Sequence, residues 1–135
     1  MDLVFLDANI LFSAAYRKKS ALLKFWNLKN AKLTTSSYAF DEASRNLDTR
    51  EQRKRLEGLV SQVSLINILP IVEISRDVGL REKDLPILKA AIFVKASHLV
   101  TGDKRDFGKY FNQTIQGVLI LTPADYLRSQ SNETD

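Results

Sequence analysis

Asp7 closes a short apolar run, Leu3-Val4-Phe5-Leu6, and Asp103 closes another, Leu99-Val100-Thr101-Gly102; Asp84 opens a helical pattern, and Glu42 lies on a helical stretch between them. In an α/β chain the carboxyl ends of parallel strands converge on one crevice, so acids scattered along the sequence can become neighbours. Two unit charges about 4 Å apart repel by roughly 4 kcal/mol at an effective dielectric near 20, so a bare group of four resists folding or takes up protons. A divalent cation removes that penalty. The accompanying groups are hydroxyls and amides (Asn9, Ser36, Ser37, Thr101), with almost no soft ligands. Oxygen ligation favours Mg²⁺ or Mn²⁺, and such ions commonly serve phosphoryl chemistry.

The elements that must position these acids follow from the apolar pattern. Residues 3–6 read as a buried parallel strand, followed by Ile10, Leu11, Ala14 and Ala15 at helical spacing. A second helix is expected over about 20–28, with Ser20 as its cap, then a weak strand over 32–35 and a helix over about 38–47 that carries Glu42. Asp48, Thr49, Glu51 and Gln52 offer a helix start, and Leu56, Leu59, Val60, Val63 and Ile66 extend that helix towards Pro70. Further strands are expected at 71–74, 99–101 and 118–121, with a loop over 75–83, a helix from Asp84 with Pro86 in its first turn, and a short final helix from Pro123. Strands alternating with helices predict a mainly parallel sheet of four to five strands covered on both faces. Residues 1–128 are expected to form one domain, and 129–135 a polar, frayed tail.

At 135 residues, 44% hydrophobic and 27% charged, the chain is long enough to bury a core without disulfides. It holds no cysteine, which excludes thiol catalysis and zinc–thiolate sites, and a single histidine, His98, expected at the exposed end of a helix. No apolar run approaches the roughly 20 residues of a membrane span, and the amino terminus shows no leader pattern, so a soluble, cytoplasmic protein is expected. The net charge is +4, with basic residues in two stretches: Arg17, Lys18, Lys19, Lys24, Lys29 and Lys32, then Arg45, Arg50, Arg53, Lys54 and Arg55. Such stretches are either solvated helix faces or surfaces that attract polyphosphate chains.

Leu6-Asp7-Ala8-Asn9-Ile10-Leu11, then Ser37 and Glu42, then Asp84-Leu85-Pro86-Ile87-Leu88-Lys89-Ala90-Ala91, and finally Leu99-Val100-Thr101-Gly102-Asp103-Lys104-Arg105-Asp106-Phe107 together resemble the PIN-domain nucleases in order and spacing. The resemblance covers nearly the whole chain. It implies a three-layer α/β/α sandwich that binds Mg²⁺ or Mn²⁺ and hydrolyses single-stranded RNA. It also implies a toxin paired with a protein antitoxin, and a homodimer. Asp7, Glu42, Asp84 and Asp103 correspond to the metal-binding acids and Asp106 to an auxiliary one, while Asn9 and Thr101 would hold a carboxylate or position water. Lys104 and Arg105, beside Asp103, are candidate phosphate contacts. Ala8 departs from the family, where threonine is more common; Asp41, next to Glu42, points about 100° away from it on a helix.

Two rival readings remain at this point. Phosphoaspartyl enzymes also place an aspartate after the first strand, but their Asp-x-Asp pattern would need an acid where Asn9 stands, and receivers need a lysine that Leu121-Thr122-Pro123 does not supply. The other is a catalytically silent RNA-binding or scaffold module. Phe25, Trp26 and Tyr16 could stack bases, although core or dimer packing is the simpler use of them.

Overall fold

The computed structural model describes residues 1–67 and 71–133, the side chains of 132 and 133 excepted. Its first strand, β1 (Asp2–Leu6), leads into α1 (Ala8–Tyr16), a 3-10 segment (Ala21–Asn27) capped by the Ser20 hydroxyl, and β2 (Ala31–Ser36). Two helices, α2 (Ser37–Asn46) and α3 (Arg50–Val60), precede β3 (Ser64–Ile66). The remainder comprises α4 (Leu85–Phe93), β4 (His98–Val100), α5 (Lys104–Phe107), a 3-10 turn (Gly108–Tyr110), β5 (Thr114–Ile115), β6 (Val118–Leu121) and α6 (Pro123–Glu133).

The six strands are ordered β3-β2-β1-β4-β6-β5, all neighbours parallel except β5 and β6. Successive residues of β1, Val4, Phe5 and Leu6, are each fully buried, as are Leu99 and Val100 of β4. Because neighbouring side chains on a strand point to opposite faces, both faces of the sheet are covered. This is the three-layer α/β/α architecture. Alanines 90 and 91 of α4 are buried, and α4 packs close against β2 and β4. From β1 the chain winds outward through β2 and β3, then returns to place β4 on the other side of β1. The crevice between the carboxyl ends of β1 and β4 is therefore the topological switch point.

The observed sheet has one or two strands more than expected, and one expected strand is elsewhere. α3 stops at Val60, where the Ser61 N–H bonds to the Glu57 carbonyl, so Ile66 belongs to β3 rather than to the helix. An edge strand that follows a helix after three residues preserves an apolar spacing that mimics helix continuation. Pro70, expected to end that helix, lies outside the described residues. Residues 71–74 form no strand: Ile71 is 98% exposed, and the side-chain amide of Gln116 takes the segment's hydrogen bonds, donating to the Glu73 carbonyl (3.0 Å) and accepting from the Ser75 N–H (3.2 Å). Gln116 and Gly117 both have positive φ (47° and 91°), the requirement of a tight hairpin, which is how β5 pairs with β6. The carboxyl-terminal tail expected from 129 is helical to Glu133.

His98 begins β4 instead of ending a helix; its ring lies edge-on to Tyr126 (5.0 Å) and its Nδ1 is 2.8 Å from the Ser97 hydroxyl. Phe25 is buried, stacked on Tyr126, and Trp26 donates its indole N–H to the Leu59 carbonyl (2.9 Å). Both aromatics are core anchors. No helix among the described residues is long and apolar enough to cross a membrane.

One buried contact fixes the strand end that presents the first acid. The Thr35 hydroxyl donates to the Leu6 carbonyl at 2.8 Å with no exposure of the threonine. Thr35→Val keeps the shape and removes the donor, so it should lower unfolding free energy by about 1–2 kcal/mol. Urea denaturation measures this; unchanged stability would show that the contact does not matter.

Candidate metal centre

Asp7 immediately follows β1, and its side chain is held from three directions. Oδ1 accepts the Ala8 N–H (2.6 Å), while Oδ2 accepts the Thr101 hydroxyl (2.8 Å) and the Asn9 amide (3.1 Å). Thr101, fully buried just beyond β4, also accepts from Asn9 Nδ2 (3.1 Å) and from the Asp103 N–H (3.1 Å). Its one donor and two acceptor sites are thus all used. Asn9 completes the loop by accepting the Gly102 N–H at 2.7 Å. A side chain at 102 would bring its Cβ to 3.3 Å from Asn9 Oδ1, so glycine is what allows this approach. Residues 7, 9, 101, 102 and 103 form one network that ties the ends of β1 and β4 together.

Glu42 comes from α2, on the same face as Ala43 and Asn46, while its neighbour Asp41 is exposed. Asp84 stands at the start of α4, and its side chain caps nothing. It is only 7% exposed, and Oδ2 has no hydrogen-bond partner. Asp103 does cap α5, accepting the Asp106 N–H at 3.1 Å. All four acids, Asp7, Glu42, Asp84 and Asp103, line one cleft of about 540 Å³, together with Asn9 and Lys83. Asp106 does not line that cleft, yet carboxylate oxygens of Asp84, Asp103 and Asp106 all lie within 4.8 Å of one another. Asp106 is also paired with Arg81 (3.2 Å) and Lys83 (3.7 Å), two cations of the segment before α4. Lys104 and Arg105 are exposed on α5.

Burial raises the Asp7 pKa from 3.8 to about 6; the charges of Glu42 and Asp103 add to the rise, and the donors from Thr101 and Ala8 offset part of it. Asp84 is also pushed well above the usual carboxylate range, first by burial and then by Asp106 beside it. Asp106 is held below that range, first by its hydrogen bond with Asp84 and then by Arg81 and Lys83. Without an ion, protons and these two basic side chains compensate the acids.

The residues present fit a hard divalent cation. Oxygens sharing an ion at about 2.1 Å stand about 3 Å apart when adjacent and about 4.2 Å apart when opposed, so the Asp84, Asp103 and Asp106 oxygens, within 4.8 Å of one another, would have to draw together to share one. A buried, ionised carboxylate oxygen without a donor is expensive, and either a proton or a cation relieves that cost.

A PIN-domain family model matches residues 3–105. Among solved structures, the chain is similar to one described as VapBC2 from Rickettsia felis bound to a DNA fragment from their promoter. The TM-score is 0.63 at 19% sequence identity, covering 89% of this chain and 98% of that one. At that identity the likeness concerns the fold. No curated protein sequence matches.

The raised acids give a signed pH dependence. Folded Asp7 keeps its proton up to about pH 6 and unfolded Asp7 only to 3.8, so its stabilising protonation is complete below 3.8 and lost as pH rises through about 6. The difference is worth about 3 kcal/mol, and Asp84 acts in the same direction. In chelator, the melting temperature should therefore rise from neutral pH to about pH 5, and Asp7→Asn should flatten that rise. A melting temperature that falls over this interval as steeply in wild type as in Asp7→Asn would contradict the assignment.

Proposed function

Because the chain belongs to the PIN-domain family, we propose that it is a metal-dependent endoribonuclease that hydrolyses single-stranded RNA, acting as the toxin of a toxin–antitoxin pair. The observation that carries this reading is the meeting of Asp7, Glu42, Asp84 and Asp103, from four separate elements, in one cleft at the switch point, with Asp84 Oδ2 left without a donor. Asp7, Glu42, Asp84 and Asp103 would hold Mg²⁺ or Mn²⁺, with Asp106, whose carboxylate is close to those of Asp84 and Asp103, as an auxiliary acid. The ion supplies a lowered pKa for the attacking water and stabilisation of the leaving oxygen.

The chain's own residues then have distinct tasks. Asn9 and Thr101 fix the direction of the Asp7 carboxylate, leaving its remaining lone pairs towards the cleft. Asp84, whose carboxyl is pushed up by burial and by Asp106, would lose its proton if a cation occupied the site. Lys104 and Arg105, exposed beside Asp103, meet the phosphates of the strand on either side of the cut. Water is the nucleophile in this reading: the chain has no cysteine, and its one histidine opens β4, at the opposite end of that strand from the acids.

The R. felis structure supports the partner assignment, since a chain of nearly the same extent and fold is there described in a complex with promoter DNA. A homodimer and a cytoplasmic location belong to the same proposal. The dimer no longer draws on Phe25, which is in the core, or on Trp26, which is half-buried against the core and bonded to the Leu59 carbonyl.

Cleavage of single-stranded RNA should appear with Mn²⁺, vanish in chelator, and fall about 10–100-fold in Asn9→Ala, which loosens Asp7 without removing a ligand. Asp84→Asn should cost more. Metal-dependent cleavage that survives Asp84→Asn unchanged would overturn the site. Retained RNA binding with no metal uptake and no cleavage would instead establish a silent module.

A further inference from the structure

The carboxyl end of α1 carries a second concavity, of about 470 Å³, whose lining includes Phe12, Ser13, Tyr16, Arg17 and Lys19. Phe12 and Ser13 also line the acidic cleft, so the two hollows share a wall. The Phe12 and Tyr16 rings lie 5.3 Å apart in a tilted arrangement, and Tyr16 is 38% exposed. Exposed Arg17, Lys18 and Lys19 follow, and among the described residues no carboxylate pairs with them.

Those cations are not needed to cap the helix they follow. Arg55 of α3 donates to the carbonyls of Ala15 (2.9 Å) and Tyr16 (3.2 Å), and Gln52 donates to Tyr16 as well (3.2 Å). The last two carbonyls of α1 are therefore satisfied and held from behind, which anchors the Tyr16 backbone and leaves Arg17, Lys18 and Lys19 uncommitted. Arg53 is similarly engaged with the Leu47 carbonyl. Two guanidiniums of the second basic stretch thus serve the fold, while the start of the first stretch faces a hollow.

We propose that this hollow is a nucleotide subsite, in which a base of the RNA strand stacks on Tyr16 against Phe12 and its phosphates meet Arg17 and Lys19. The inference rests on the RNA-cleaving reading and deepens it. α1 begins at the Asp7 cap and ends at Tyr16; at about 1.5 Å per residue that is roughly 13 Å, or about four nucleotides at the 3.4 Å spacing of a stacked strand. The subsite would therefore hold the strand about four nucleotides from the cut.

The test is an anisotropy titration of a fluorescent single-stranded RNA of about ten nucleotides with Asp7→Asn protein in Mg²⁺, repeated over a range of salt. Adding Tyr16→Ala should weaken binding about tenfold or more, and Tyr16→Phe should restore it. Adding Arg17→Ala, at an exposed position, should reduce the slope of log affinity against log salt by about 0.7. Full binding and an unchanged salt slope in both Tyr16→Ala and Arg17→Ala would overturn the subsite while the cleavage reading stands, and would leave this face to a protein partner. Absence of RNA binding and of RNA cleavage in the wild-type protein would remove the cleavage reading and the subsite together.

Discussion

Like charges forced together at the end of a parallel sheet are the constraint around which this molecule is arranged. Asp7 and Asp103 are brought close because β1 and β4 are neighbours whose carboxyl ends point the same way, and α2 and α4 add Glu42 and Asp84 to the same cleft. Each pair at about 4 Å would repel by roughly 4 kcal/mol in a protein-like dielectric. The structure meets this in two ways. Asp7 is wrapped in donors from Ala8, Asn9 and Thr101, and Asp106 is offset by Arg81 and Lys83. Asp84 receives neither a donor to Oδ2 nor a cap to make. That asymmetry is compatible with a cation site.

The network that secures the acids also closes the sheet. Thr101 uses every hydrogen-bonding capacity it has, and Asn9 spans from Asp7 to the Gly102 backbone. Strand pairing and acid geometry are consequently not separable features: a change that shifts β4 relative to β1 moves Asp103 relative to Asp7. Ala8 is buried at the start of α1 and takes no part in these bonds except through its N–H. The hydroxyl contact to Asp7 comes from Thr101.

Much of this was legible from residue order alone, and the reason is physical. An apolar run of four ending in Asp7 leaves the carboxylate little to do in a core, and the alternation of strands with helices implies the crevice where such residues meet. Helical direction allows only one of Asp41 and Glu42 to face the crevice, and the resemblance favours Glu42. The sequence was less informative where short-range patterns coincide. β3 continues the apolar spacing of α3, and β5 is two residues long behind a Gln-Gly turn whose glutamine reaches across to residues 73 and 75. Arg81 and Lys83 read as loop charges because their partner, Asp106, lies more than twenty residues ahead in the chain. Arg55 read either as a solvated helix-face charge or as part of a polyphosphate-attracting surface, yet it caps α1. In each case the deciding contact is long-range, and no local window contains it.

The central claim is that a hard divalent ion completes this group of carboxylates. Diffraction from crystals grown with Mn²⁺, recorded where manganese scatters anomalously, tests it most directly. The account predicts an anomalous peak in the cleft within about 2.0–2.6 Å of oxygens from both Asp84 and Asp103. A cleft without such a peak at saturating Mn²⁺, or an ion held by residues elsewhere on the molecule, would contradict it.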